Sequence, residues 1–185
     1  MRILIIKTSS LGDIVQAFPL LSVIKKHIPE SVISWVVEER CSDLVASHPF
    51  VDECITVDTR QWKNPSLLLK SCPEIQKYVK KISEKKYNYL IDAQCNLKSF
   101  LLRSLASADT KIGFSSGWNK EPFSSSRFDI KVPHNPKGNI YYDYLKLTLP
   151  LVGKEANLTP SPLLHLNKEE NSLLKEWTQR IHQRK

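Results

Sequence analysis

An unbroken aliphatic run, Ile3-Leu-Ile-Ile6, gives way at once to Lys7-Thr-Ser-Ser-Leu-Gly-Asp13, after which hydrophobic residues return at helical spacing. A short apolar run bounded by turn residues reads as a strand buried on both faces, here over 2–7. The following segment, 13–27, reads as a helix with Ile14, Val15, Phe18, Leu21, Ile24 and Ile28 on one stripe. Pro19 removes a backbone donor inside it, which predicts a kink or a restarted helix. The alternation continues, with strands over 31–38, 53–58, 88–94, 111–114 and 127–132. Between them lie helices over 41–48, 67–85, 97–107 and 140–152. Strand and helix alternating in this way predict an α/β fold: a parallel sheet with helices on both faces, joined by right-handed crossovers. After Gly153 the pattern changes to a turn-rich, linker-like stretch over 154–162 and a short apolar segment over 163–166. A last amphipathic helix is predicted over about 168–182, capped by Asn167 with Glu170 three residues on.

In an open α/β sheet, ligands bind outside the carboxyl ends of the strands, so the residues just after each strand are the candidates for chemistry. The first strand delivers Lys7, Thr8, Ser9, Ser10, Gly12 and Asp13; the third delivers Arg60, Trp62 and Lys63. The fourth delivers Asp92, Gln94, Asn96 and Lys98, and the fifth Trp118, Asn119 and Lys120. Cations, amides and aromatics converging on one rim suit a hydroxylated anion better than a merely solvated face. The first loop has neither G-x-x-x-x-G-K-[ST] nor G-x-G-x-x-G, so the usual phosphate-loop and dinucleotide fingerprints are missing. What remains is a small-residue turn at a helix N-terminus, with Gly12 permitting close approach or an unusual φ. Asp13 then reads either as a carboxylate stabilising that helix end or as a group that does chemistry. Ser9 and Ser10 serve either to bond a ligand or to satisfy the turn's own backbone. Trp62 and Trp118 read as rim packing or as a sugar platform. Asp92 reads as a brace between neighbouring loops.

The formal net charge of +8 points to an anionic partner without choosing one, since part of it is an ordinary lysine-rich helix surface over 77–86. No nucleic-acid motif accompanies it. The cysteines, Cys41, Cys54, Cys72 and Cys95, are scattered with no C-x-x-C and no histidine at ligand spacing. They read as reduced, buried thiols, and no protein metal site or cofactor is expected. No stretch approaches the ~20 apolar residues of a membrane span, and residues 1–6 lack the form of a signal peptide.

Three segments now carry a resemblance. KTSSLGD after MRILII, Ile91-Asp-Ala-Gln94 followed by Lys98 and Ser99, and Lys120-Glu-Pro122 stand in an order and at separations that resemble the lipopolysaccharide heptosyltransferases of glycosyltransferase family 9. The likeness is closest to the branch that acts first on the inner core. Thr59-Arg-Gln-Trp-Lys63 resembles the family's basic acceptor-binding segment. The resemblance covers residues 1–153 well and implies a GT-B enzyme, two Rossmann-like domains facing across a cleft. It implies that 1–153 is the N-terminal, acceptor-binding domain, and that 154–185 is a linker and helix leading to a donor-binding domain that this chain lacks. The acceptor implied is 3-deoxy-octulosonic acid (Kdo) on lipid A and the donor ADP-heptose. Asp13 is implied as the general base for inverting transfer. Arg60, Lys63 and Lys120, with Ser9, Ser10 and Gly12, are implied to hold the acceptor, and Lys7, Lys98, Trp62 and Trp118 are weaker candidates. Lysine at 120, where the family often has arginine, keeps the charge but loses the bidentate fork. A cytoplasmic enzyme, peripheral at the inner membrane and bound to no nucleic acid, follows from the same likeness. Such an acceptor half is expected to be inactive without a donor half, which a separate polypeptide could supply. The alternative is a non-catalytic module that keeps an anionic-glycolipid or sugar site.

Overall fold

The computed structural model describes residues 1–58, 73–83, 85–118, 121, 125–153 and 158. Six parallel strands form one sheet in the order β3-β2-β1-β4-β5-β6. They are β1 (Arg2–Ile6), β2 (Val32–Glu38), β3 (Glu53–Val57), β4 (Tyr87–Asp92), β5 (Ala108–Phe114) and β6 (Ile130–Val132). The helices are α1 (Leu11–Ala17), α2 (Pro19–His27), α3 (Ser42–Ala46), α4 (Pro73–Ser83), α5 (Leu97–Leu105), α6 (Ile140–Lys146) and α7 (Leu149–Val152).

Alternate residues of each strand serve opposite faces. On one face Ile3, Ile5, Ile33, Trp35 and Ile91 pack against Ile14, Phe18, Leu21 and Ile24 of the α1–α2 segment and against Tyr144 and Leu147. On the other, Leu4, Ile6, Val36, Ile55 and Leu90 meet Tyr78 and Ile82 of α4 and Leu102 of α5. Ile3 to Ile6 are all fully buried, which explains why β1 reads as continuous rather than alternating. Each such side chain contributes roughly 1.5–3 kcal/mol on burial. Gly113 in β5 is fixed by packing: a Cβ there would lie 2.1 Å from Cζ of Phe128.

The helix interrupted by Pro19 restarts rather than bends. α1 ends at Ala17, and Pro19 opens α2, where its missing N–H costs nothing. The helix expected over 140–152 is likewise two, because Pro150 cannot continue a helix but fits the first turn of α7. The segment expected to be helical over 41–48 is shorter, a 3-10 turn at Glu39–Cys41 followed by α3. β5 starts three residues earlier than the aliphatic pattern indicates, as Ala108 and Thr110 pair with Tyr87 and Tyr89 of β4. β6 is confined to Ile130–Val132, and β4 ends at Asp92, leaving Gln94 outside the strand. Only Pro73–Ser83 of the helix expected over 67–85 is assigned as helix; 67–72 and the stretches expected over 154–157 and 159–182 lie outside the described residues.

Candidate functional site

The strand order reverses between β1 and β4, because β1 is followed by strands on one side and β4 by strands on the other. A crevice at the carboxyl ends of this pair is the expected ligand position. Two loops meet there. The chain leaving β1 stays tied into the sheet for two residues, with the Lys7 N–H donating to Val36 O and Thr8 O accepting from the Glu38 N–H. The chain leaving β4 turns sharply, because the Asp92 carboxylate accepts from the Gln94 and Cys95 N–H groups at 3.0 and 2.8 Å. Cys95 adopts a left-handed conformation, φ 48°. That turn aims Gln94 back across the crevice, where its Oε1 accepts from the Thr8 and Ser9 N–H groups at 3.1 and 3.2 Å. Gln94 thereby joins the two loops.

Asp13 lies on the crevice side of α1, but not as the cap itself. Ser10 is the N-cap, and Asp13 is the third helical residue. Its Oδ2 accepts from the Ser10 N–H and hydroxyl, both at 3.1 Å. The Ser9 and Ser10 N–H groups are thus answered by the Gln94 and Asp13 side chains. Gly12 has ordinary helical geometry rather than an unusual φ, and a Cβ there would meet nothing within 4 Å.

Lys7 is buried, not a surface cation. Its side chain is 4% exposed, with Asp13 Oδ2 at 3.8 Å and Asp13 itself 41% exposed. The Lys7 ammonium lies 5.3 Å from the centre of the Tyr144 ring. Burial lowers the Lys7 pKa from the ordinary lysine value, against the opposing pull of Asp13, Asp92 and Cys95. Burial likewise pushes the Tyr144 phenol up. A lysine whose folded pKa is depressed destabilises the fold while it is charged. That cost is complete below the folded pKa and is relieved as pH rises from there to the unfolded value of 10.5. Lys7→Met is expected to raise stability at pH 7 by about 1 kcal/mol or more. Urea midpoints for the pair of proteins should converge between pH 7 and pH 10; a constant gap would mean that the ammonium is not held as described.

Trp118 is packed on one face. It stacks on Phe114 at 3.8 Å between ring centres, with Tyr144 and His134 meeting it edge to face at 5.8 and 5.5 Å. Lys98 sits in the first turn of α5, whose Leu97 N–H donates to the Glu121 carboxylate at 2.7 Å, so the chain supplies its own anion at that helix end. Arg60, Trp62, Lys63 and Lys120 lie outside the described residues. Asp92 braces its own turn and is paired in the interior with Arg103 of α5. Sequence reasoning names Gln94 among the residues that follow the fourth strand without giving it a role, and it does not reach Tyr144 or His134. Gln94 stood within a quoted motif but was assigned to the strand, and the other two carry no local signal. Among the described residues no group of three His, Cys, Asp or Glu side chains is placed to hold a metal. Among them, too, no helix is long and apolar enough to cross a membrane.

No protein-family profile matches the chain. It is 34% identical over 125 residues to lipopolysaccharide heptosyltransferase 1 of Pseudomonas aeruginosa, covering 68% of this chain and 35% of that protein. It is 31% identical over 131 residues to lipopolysaccharide heptosyltransferase 1 of Escherichia coli O18:K1:H7, covering 71% and 40%. The solved structure of E. coli heptosyltransferase WaaC with ADP-2-deoxy-2-fluoro heptose superposes with a TM-score of 0.74 at 29% identity, over 86% of this chain and 51% of that one. The chain therefore spans well under half the length of the curated relatives, and about half of the solved glycosyltransferase. In sequence and in fold it is a partial, heptosyltransferase 1-like chain.

Proposed function

We propose that residues 1–153 form the acceptor-binding domain of an inverting heptosyltransferase, which transfers heptose from ADP-heptose to Kdo of lipid A in lipopolysaccharide inner-core synthesis. The observation that carries this reading is the Asp13 carboxylate, half-exposed beside the switch-point crevice and oriented by Ser10 and Lys7. A carboxylate so held can take the proton of an acceptor hydroxyl as that oxygen bonds to the anomeric carbon from one side. The bond from the anomeric carbon to the phosphate oxygen breaks on the other side, ADP leaves with its electron pair, and the configuration inverts. Ser9, Ser10 and Gly12 border the acceptor, and Arg60, Lys63 and Lys120 hold its carboxylate and phosphates. Lys7 and Lys98 add positive potential from beneath.

The donor site belongs mostly to a second domain, carried on the rest of a longer chain or on a separate polypeptide. With a glycolipid acceptor and a net charge of +8, the protein would work at the cytoplasmic face of the inner membrane, held peripherally by an anionic surface. No metal is part of this scheme, and stabilising the leaving group falls to the donor domain.

A titration with a soluble, delipidated Kdo acceptor at two salt concentrations tests the reading. Arg60→Ala and Lys120→Ala are each expected to weaken binding by about tenfold, a loss typical of a hydrogen bond to a charged group. Asp13→Ala should leave binding largely intact. No saturable binding by a folded wild-type chain would remove the acceptor assignment. Binding without transfer, once a donor half and ADP-heptose are supplied, would assign the chain instead to a non-catalytic glycolipid or sugar module.

A further inference from the structure

The chain segments leaving β1 and β4 lie side by side, tied first by the Ala93 N–H donating to Ile6 O at 3.0 Å. One residue further on, Gln94 reaches across with its side chain, and its Oε1 accepts from the Thr8 and Ser9 N–H groups at 3.1 and 3.2 Å. We propose that Gln94 is a positioning residue for Asp13, a clamp on the Thr8–Ser9 backbone that fixes where the carboxylate stands. The clamp is a matter of this chain's own geometry; its consequence for transfer rests on the reading of Asp13 as the base.

Asp13 depends on such a clamp because the segment before it has few anchors. β2 grips the chain through the Lys7 N–H, which donates to Val36 O, and through Thr8 O, which accepts from the Glu38 N–H. That grip ends at Thr8. α1 begins at Leu11, and its first backbone bond runs from the Ile14 N–H to Ser10 O. Between the two, the Ser9 N–H is answered by Gln94 and the Ser10 N–H by Asp13 itself, which also accepts from the Ser10 hydroxyl. The Asp13 carboxylate is thus aimed by Ser10, and Ser10 follows a residue that Gln94 holds. Without the amide oxygen, the Thr8 and Ser9 donors lose their partner, and the Ser9–Ser10 segment can turn and carry the carboxylate with it.

Gln94 can act as a clamp because it is itself fixed. Asp92 Oδ1 accepts from the Gln94 and Cys95 N–H groups, while its Oδ2 pairs with Arg103 in the interior. Cys95 Sγ donates to Asp92 O at 2.9 Å and accepts from the Phe114 N–H at 3.4 Å, which ties the turn to the end of β5. The direction of the amide is forced, since only its oxygen can face two N–H groups, with the Thr8 hydroxyl a third donor at 3.4 Å. A neutral acceptor also suits the place. The Lys7 ammonium is already drawn by both Asp13 and Asp92, and a third carboxylate would compete with Asp13 for it.

Side-chain length and chemistry separate a clamp from other roles. Gln94→Met keeps the length and removes the oxygen. Gln94→Asn keeps the amide but falls short by one methylene. Gln94→Glu keeps both the reach and the accepting oxygens. A clamp therefore predicts that the first two fail and the third succeeds. Packing alone would tolerate Gln94→Met best, and a substrate contact through the amide N–H groups would make Gln94→Glu as poor as Gln94→Met.

The test has two parts. On the chain alone, amide hydrogen exchange followed by NMR reads the Ser10 N–H, which bonds to Asp13 and not to Gln94. Gln94→Met and Gln94→Asn are expected to speed its exchange by about three- to tenfold, the scale of one hydrogen bond, while the Lys7 N–H is unchanged. Gln94→Glu should keep the wild-type rate, and Gln94→Asn serves if Gln94→Met fails to fold. With a donor half, ADP-heptose and a soluble Kdo acceptor supplied, Gln94→Met and Gln94→Asn should lower kcat by about ten- to a hundredfold and change the acceptor KM by less than about threefold. Gln94→Glu should recover most of that rate. Unchanged Ser10 exchange in a folded Gln94→Met or Gln94→Asn variant overturns the proposal, as does a Gln94→Glu variant as slow as Gln94→Met or a loss that falls mainly on KM. Faster Ser10 exchange in the variants, with no transfer by the wild type, would keep the clamp and remove the reading of Asp13 as base. Transfer by the wild type with kcat untouched by every Gln94 variant would keep that reading and remove the clamp.

Discussion

Asp92→Asn is expected to cost about 3–5 kcal/mol, a large part of the roughly 5–15 kcal/mol that holds a domain of this size together. Asp92 and Arg103 are both almost entirely buried, with Nη1 and Oδ2 2.5 Å apart. Burial pushes the Asp92 carboxyl up, while the Arg103 guanidinium and the Cys95 N–H favour its charged form. The guanidinium is further enclosed, donating through Nη2 to Ser126 O and lying 4.2 Å from the Phe128 ring. Asparagine keeps an oxygen for the Gln94 and Cys95 N–H groups but strands the arginine charge in the interior. The cost is therefore one of uncompensated charge rather than lost turn geometry. Adding Arg103→Met should recover at least half of the loss, because an apolar replacement of a whole buried pair is often neutral. Urea midpoints of the two single variants and the double variant measure the coupling directly. A double variant as unstable as Asp92→Asn would show that the turn, not the charge, is what the pair supplies. The loss also reaches the site, since the turn held by Asp92 aims Gln94 at the Thr8 and Ser9 N–H groups.

Much of the fold is legible in the sequence because its main determinant is local. Ile3 to Ile6 and the aliphatics of 33–37 need no partner information to declare strands buried on both faces, and parallel order follows from the helices between them. The boundary errors have local causes as well. Pro150 sits inside an apolar pattern that reads as one helix over 140–152, and the polar start of β5 hides its pairing because that end of the strand is partly exposed. The candidate site was legible in part. Asp13 can be placed at a helix mouth beside a strand end from residues alone. Lys7 could not, because its burial depends on β2 and β4 gripping the chain past the end of β1. Gln94 could not, since its direction depends on the Asp92 turn and on a left-handed Cys95. Tyr144 and His134 come from segments more than 120 residues beyond β1, and nothing local marks them. Long-range packing, not weak local propensity, is what the sequence conceals here.

In a reaction assembled from this chain, a polypeptide supplying the donor half, ADP-heptose and a soluble Kdo acceptor, Asp13→Asn is expected to slow transfer by about 10²–10⁴-fold, the usual worth of a positioned general base. In barrier terms this is about 3–5 kcal/mol. The substitution is nearly isosteric, and its side-chain oxygen can still accept from the Ser10 N–H that Asp13 holds at 3.1 Å. Helix start and loop geometry should thus survive, and Kdo binding should change less than about threefold. The lost function is proton acceptance alone: an amide can orient a hydroxyl but cannot take its proton at neutral pH. Kinetics and binding together separate the two readings of this residue. A fall in transfer with retained binding and an unchanged melting point assigns Asp13 to chemistry. Unchanged transfer with stability lower by about 1 kcal/mol would leave it as a helix-end carboxylate only. Lys7→Met adds a control on the same carboxylate, since it removes the nearby cation without touching the proton acceptor. Its transfer rate should fall less than that of Asp13→Asn, because Ser10 alone still holds the carboxylate in place.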